Sequence, residues 1–442
     1  MKRAISSRVG VAVAAAAGLT GKRFGLLVAS SLVATSAVVA GALTGAGDSD
    51  ALASLLARQL GTANDAPAAP ASSPAPPSGG EPTASPGGAG AAGPAPSPPG
   101  AVEGPPPAPL KEPATPATRP EAGPVKHVFL ISLASPGYEA AFGAQSQMPY
   151  LATTLRPRGE LLSGYTLLSE GALANGIAAI SGQPPNAATD AGCPSFGDVS
   201  PSAADARGAV RGTGCVYPVE TLTIADQLTP ARLSWRAYAE GMADSTGKPA
   251  ECVHPDPGEA PIGAPGGYAA TQNPFVYFHS LLDLGDCAAN DVPIDGLAAD
   301  LKKANKTPTY SFIAPTPCDA GFAGQCASGA LKGAAAADAF LEEWVPKILA
   351  SPAYEAGGLL VVAFSAVDPE AAEASASGDP LKTGALLVSP LLAPGSTDAA
   401  PYGPYSLLRS TEDLFRLQPL ALAAGAKTRS FAAGLLSKSG GD

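Results

Sequence analysis

The chain has no G-x-S-x-G elbow, no H-E-x-x-H pair and no glycine-rich loop of the P-loop type. Those absences remove the usual signatures of a serine hydrolase, a zinc-dependent hydrolase and a nucleotide phosphate cradle. Histidine is scarce, with three (His127, His254 and His279) in 442 residues. No acidic residue precedes Asp48, no cysteine precedes Cys193, and no internal repeat is evident. From Asn64 to Pro124 almost no large apolar side chain occurs, in runs such as PAAPASSPAPPSGG and GPAPSPPG. Such a segment has too little to bury to offset the entropy of ordering, so residues 47–124 are expected to form a disordered Pro/Ala/Gly-rich linker. In extended polyproline geometry, at ~3.1 Å per residue, its proline-rich part would reach on the order of 150 Å.

What the N-terminus does have is positive charge, in Lys2, Arg3, Arg8, Lys22 and Arg23, followed by an uncharged stretch over residues 24–46. A bilayer-spanning helix needs about 20 apolar residues. Basic residues ahead of such a span place it with the N-terminus inside. The expectation is therefore a cytoplasmic basic segment at 1–23, a transmembrane anchor or signal sequence at 24–46, and everything later outside the cell, secreted if the segment is cleaved. The stretch is long for a signal peptide and suits an anchor, while its small residues suit a signal peptidase, and both alternatives stand.

Six cysteines, Cys193, Cys215, Cys252, Cys287, Cys318 and Cys326, all fall in the C-terminal portion. An even number confined to an exported domain reads as disulfides, for which fifteen pairings exist. Sequence neighbours favour Cys193 with Cys215, Cys252 with Cys287 and Cys318 with Cys326. Zinc-knuckle spacing is absent, and no metal cofactor is expected. Net charge is −11, and without the five N-terminal cations the balance is 22 basic to 38 acidic residues. That balance makes phosphate-rich polymers and anionic lipid headgroups poor electrostatic partners, and nucleic acid is not expected as a partner.

From Val125 onward, short β-rich runs alternate with helical patterns, the signature of an α/β domain. Strands are expected at Lys126–Leu133, Leu233–Ala239, Thr309–Ala314, Leu359–Phe364 and Ala385–Ser389. Helices or helix starts are expected at Met148–Leu155, Leu173–Ile180, Ile224–Leu228, Ile294–Lys303, Ala334–Leu349 and Ser410–Phe415. Nearly continuous apolar strands between helices imply a mostly parallel sheet covered on both faces.

The segments HVFLISLASPGYEAAFG, GALANGIAAISGQPPN, LTIADQL, NPFVYFHS and GPYSLLRSTEDLFRL resemble the phosphoesterase family, the acid phosphatase and phospholipase C-like branch of the alkaline phosphatase superfamily. The resemblance covers about Val125 to Leu420 and implies an alkaline phosphatase-like fold over 125–442. It also implies a Ser or Thr nucleophile at a helix N-terminus and divalent metals held by carboxylates and imidazoles at strand ends, where they polarise phosphoryl oxygens. At the corresponding positions this chain has Ala134 and Ser135 for a Glu-Asn pair. It has Ala172 for the nucleophile, Ser365 and Ala366 for an Asp-Glu pair, and Pro404 for a His. The stretch Ala314 to Phe322 replaces a Thr-Pro-Asn segment and an Asp-x-His-type run. Residual candidates are Asn175, Asp319 and Asp368. None of the three histidines falls on a ligand position of the family.

Two functional expectations follow. The first is a membrane-tethered extracytoplasmic pseudoenzyme whose partners are the membrane, through the N-terminal helix, and a cell-envelope protein or glycan. The second is an active phosphoric ester hydrolase with an unorthodox metal site built from Asn175, Asp319 and Asp368, and only this reading calls for a divalent metal. A purely structural wall spacer would leave the folded portion without a task.

Overall fold

A computed structural model describes residues 123–261, 263–370 and 381–436. The expected cytoplasmic segment and anchor at 1–46, and the linker up to residue 122, lie outside the described residues. Among the described residues no helix is long and apolar enough to cross a membrane.

Eight strands form the main sheet, in the order β10-β2-β9-β8-β1-β7-β5-β6. They are β1 (His127–Ser135), β2 (Glu160–Leu162), β5 (Trp235–Ala239), β6 (Asp291–Pro293), β7 (Tyr310–Ala314), β8 (Gly358–Val367), β9 (Ala385–Val388) and β10 (Ser396–Asp398). β3 (Ser200–Ala204) and β4 (Val210–Thr213) pair separately as an antiparallel ribbon. Strands β8, β1, β7, β5 and β6 are parallel neighbours. β9 runs antiparallel to both β8 and β2, and β10 is parallel to β2.

The apolar runs are continuous because each face of the sheet has its own covering layer. On β1, Val128 and Leu130 join one core while Phe129, Ile131 and Leu133 join the other. β8 divides in the same way, with Leu359, Val361 and Ala363 against Leu360, Val362 and Phe364. This is the period-two alternation of a strand applied to two buried faces. The helices that frame the site are α1 (Tyr138–Phe142), α2 (Ala172–Ser181), α3 (Pro317–Ala320), α4 (Ala334–Leu349) and α5 (Pro404–Leu414). α2 and α5 supply Leu173, Ile177, Ile180, Leu407 and Leu408 to the first face. α4 supplies Phe340, Leu341, Trp344, Val345 and Ile348 to the second.

The five expected strands and the helices at Ile224–Leu228 and Ala334–Leu349 are all present. The expected helix at Met148–Leu155 is a π-helical turn, Tyr150–Leu155. Its first amides, on Tyr150 and Leu151, donate to the Asp338 carboxylate of α4 at 2.8 and 2.9 Å. The expected helix at Ile294–Lys303 divides into a 3-10 turn, Ile294–Gly296, and a helical turn, Leu297–Asp300. The helix expected from Ser410 begins six residues earlier, because Pro404 sits in its first turn, where the missing N–H costs nothing. All three favoured disulfides are formed, Cys193–Cys215, Cys252–Cys287 and Cys318–Cys326, and no cysteine is free among the described residues.

Candidate functional site

In an open parallel α/β sheet, ligands bind outside the carboxyl ends of the strands. Here that edge is built by the ends of β1 and β8, the start of α2 and the turn after β7. β1 and β8 pair in register up to Leu133 opposite Phe364, and then Ala134 lies opposite Ala366. Ser365 is thus the extra residue of a β-bulge, a device that re-aims side chains at a strand end.

The bulge is held from beneath. Ser132 Oγ donates to Ser365 Oγ at 2.7 Å. The Asn175 amide, on α2, donates to the carbonyls of Ser365 (2.8 Å), Ser169 (2.7 Å) and Gly171 (2.9 Å), and its Oδ1 accepts from the Leu168 amide at 2.8 Å. Asn175 is 1% exposed. Its hydrogen-bonding capacity is spent on backbone, so it acts as a clamp between the α2 start and β8.

Three of the aligned positions converge. Ala134, Ala172 and Ala366 form a small apolar cluster of their own, with Phe322 packed against it. Ala134 and Ala366 are essentially inaccessible, and Ala172 is buried at the first position of α2. Ser135 is also buried, and its hydroxyl accepts from the Gly137 amide at 3.0 Å. Pro404 and the three histidines are not in this cluster. His127 Nδ1 lies 2.9 Å from the Pro308 carbonyl, at the start of β1. His254 stacks on Phe196, and His279 lies between Asp198 and Asp283 at 3.0 and 3.1 Å.

Phe322 arrives on the loop after β7. Thr316 caps α3 by accepting from the Asp319 amide, and the helix ends at Gly321, whose φ of +119° favours glycine. A Cβ at Gly321 would lie 3.0 Å from the Ala134 carbonyl and 3.7 Å from the Ala134 methyl. The turn therefore rests on the end of β1. The Cys318–Cys326 disulfide closes the loop around Phe322.

The remaining carboxylates serve this loop. Asp368, just beyond β8, is 5% exposed and accepts from the amides of Ala323 and Glu370. Burial pushes its carboxyl up, and Oδ1 has no hydrogen-bond partner among the described residues. Asp319 accepts from the Thr316 hydroxyl at 3.1 Å, and Glu240, after β5, accepts from the Thr316 amide at 3.0 Å. Burial, with the neighbouring Asp319 carboxylate adding to it, pushes Glu240 up to about 7. Glu240 escaped the sequence reading because 79 residues separate it from Asp319 and no local pattern links them. Gly321 and Phe322 were read as part of the stretch that replaces a ligand run, but their seat on Ala134 and over the alanines was not legible, because a loop carries no periodicity.

A divalent cation needs several oxygen or nitrogen donors converging on one point. Among the described residues no group of three or more His, Cys, Asp or Glu side chains is placed to do so. At the positions that the resemblance aligns with the family's ligands, the side chains are methyl groups, hydrogen-bonded hydroxyls and the Pro404 ring, which do not fit a divalent metal. Asp319 and Asp368 are brought to the same loop but have different partners there, the Thr316 hydroxyl for Asp319 and the amides of Ala323 and Glu370 for Asp368.

Among solved structures, the chain is similar to a putative sulfatase from Bacteroides thetaiotaomicron, with 13% identity, TM-score 0.43, and coverage of 72% of this chain and 75% of that one. It is also similar to an alkaline phosphatase superfamily protein from Vibrio parahaemolyticus, with 12% identity, TM-score 0.42, and coverage of 69% and 70%. A third is the phosphonate monoester hydrolase of Silicibacter pomeroyi, with 12% identity, TM-score 0.37, and coverage of 72% and 78%. No curated protein matches. The family model of the Phosphoesterase family matches residues 147–418, from the π-helical turn past the end of α5 and over more than half of the chain. The chain belongs to the Phosphoesterase family.

Proposed function

We propose that this protein is a membrane-tethered, extracytoplasmic member of its family that lacks the nucleophile and metal ligands, and that it works by binding a cell-envelope protein or glycan. One observation carries the reading. Ala134, Ala172 and Ala366, aligned with a metal ligand, the nucleophile and another ligand, meet in one apolar cluster covered by Phe322. A methyl group supplies neither an attacking oxygen nor a lone pair for a cation. The alternative, an active phosphoric ester hydrolase using Asn175, Asp319 and Asp368, has less support. Asn175 is saturated by backbone groups, and the two carboxylates fasten the loop that covers the alanines.

The test is metal content by elemental analysis and calorimetric titration of the full chain with Mn²⁺, Ca²⁺, Mg²⁺ and Zn²⁺ at neutral pH, together with turnover of an aryl phosphate ester. No stoichiometric binding and no metal-stimulated turnover are expected. Tight binding with turnover that Asp319→Asn and Asp368→Asn abolish would establish the hydrolase instead.

A further inference from the structure

Net charge conceals where the cations are. Because β1, β2, β5 and β7 all run in one direction, the turns that precede them share one edge of the sheet, opposite the alanine cluster. Arg158 precedes β2, Lys126 precedes β1, Lys302, Lys303 and Lys306 precede β7, and Arg232 precedes β5. All six are exposed. With strands spaced ~4.8 Å apart, the row from β2 to β5 spans about 24 Å.

None of these six makes an ion pair among the described residues, whereas Arg207, Arg211, Arg236, Lys347 and Arg409 each pair with a carboxylate. The acidic residues on the same edge are few. Glu355 precedes β8, Asp286 precedes β6, Glu160 opens β2, Asp291 opens β6 but is buried against Asn273, Asp226 in the helix ahead of β5 is held by Thr223 and Ser280, and Asp300 is engaged by Arg236 and Tyr238. Helix C-termini attract cations, but the Leu297–Asp300 and Ile224–Leu228 helices ahead of these turns have four and five residues, too short for a substantial dipole.

The chain enters the fold at this same edge. Val125 is buried, and the Lys126 amide donates to the Gly357 carbonyl at 2.8 Å. On the tethered reading proposed above, on which this step rests, the tether joins the domain beside the unpaired cations. We infer that this amino-terminal edge of the sheet docks on a bilayer surface bearing anionic headgroups. This departs from the expectation drawn from net charge, which is a sum over the chain and not the charge at this edge. At physiological ionic strength charges are screened over about 8 Å, so a membrane senses the edge that touches it rather than the total.

The experiment is hydrogen exchange on the full chain in lipid nanodiscs, neutral or containing phosphatidylglycerol. Docking predicts that exchange at 301–309 and 229–234 slows in the anionic discs only and that high salt abolishes the difference. K302E/K303E/K306E, and the milder K302Q/K303Q/K306Q, should lose the protection. K248E/K332E/K382E, an equal charge change at exposed lysines off this edge, should keep it. Equal exchange in both lipids would overturn the proposal. So would protection conferred by soluble polyphosphate but not by anionic discs, which would make the partner a dissolved polyanion. If the chain does not enter discs of either kind, the anchor fails on its own. The edge is then read by co-sedimentation with anionic against neutral vesicles, where selective binding supports docking and its absence overturns it.

Discussion

At Ala134 a methyl group lies under the Gly321 turn, against Ala172, Ala366 and Phe322. A longer, charged side chain at this point would have to lose its hydration and displace the turn. Ala134→Glu is therefore expected to destabilise the fold by about 3 to 5 kcal/mol, the cost of an uncompensated buried charge, and to confer no metal affinity. Urea denaturation with and without Mn²⁺ checks both parts, and a variant of native stability that gains metal-dependent stability would contradict them. At this scale the sequence was legible only by alignment. Composition does not distinguish Ala134 from any other apolar residue, and only the family's pattern makes Ala172 and Ala366 its companions. Glu240 was not legible at all, since its partnership with Asp319 and Thr316 exists only once β5 and β7 lie side by side.

Among elements, the strands of the parallel core could be read because each is a run of apolar residues bounded by turn signals. β2, β6 and β10 could not, since three residues such as Glu160–Leu162 leave no measurable alternation. The antiparallel course of β9 was equally hidden, because Ala385–Val388 is buried on both faces like its parallel neighbours. The loop from α3 to Cys326 depends on its own covalent closure. Replacing Cys318 and Cys326 by Ser opens a ring with a sequence separation of 8, and the chain-entropy relation puts the loss at about 2.5 kcal/mol. Hydrogen exchange should rise at 317–326 while β1 and β8 stay protected. Equal loss across the core strands would show that the loop is part of the main cooperative unit.

Over the whole molecule, several carboxyls hold protons that the unfolded chain would release. Burial pushes Asp291 up to about 7 and Glu412 up to about 8, and burial with Asp319 pushes Glu240 up to about 7, from ordinary values of 3.8, 4.5 and 4.5. The folded state therefore binds more protons than the unfolded state between those limits, so stability falls as pH rises from about 4 to 8. His279, raised because Asp198 and Asp283 outweigh burial, contributes in the same sense, and His127, lowered by burial, opposes it. Shifts of this size are worth on the order of 3 to 5 kcal/mol per carboxyl. Denaturation midpoints should be higher at pH 5 than at pH 8, and Glu240→Gln should flatten part of the slope. A profile rising over that interval would refute the assignment of these groups as protonated.

The seat of Gly321 on Ala134 also bears on the order in which substitutions can accumulate. While the loop stays cross-linked there, the Gly321 turn and Phe322 occupy the space beside the Ala134 methyl that a longer donor side chain would need. A descendant of this chain could carry a ligand at that strand end only after the loop had been loosened, and loosening it exposes Phe322 with no immediate return. That loosening is disadvantageous alone and must come first, so the present arrangement resists such a change in small steps.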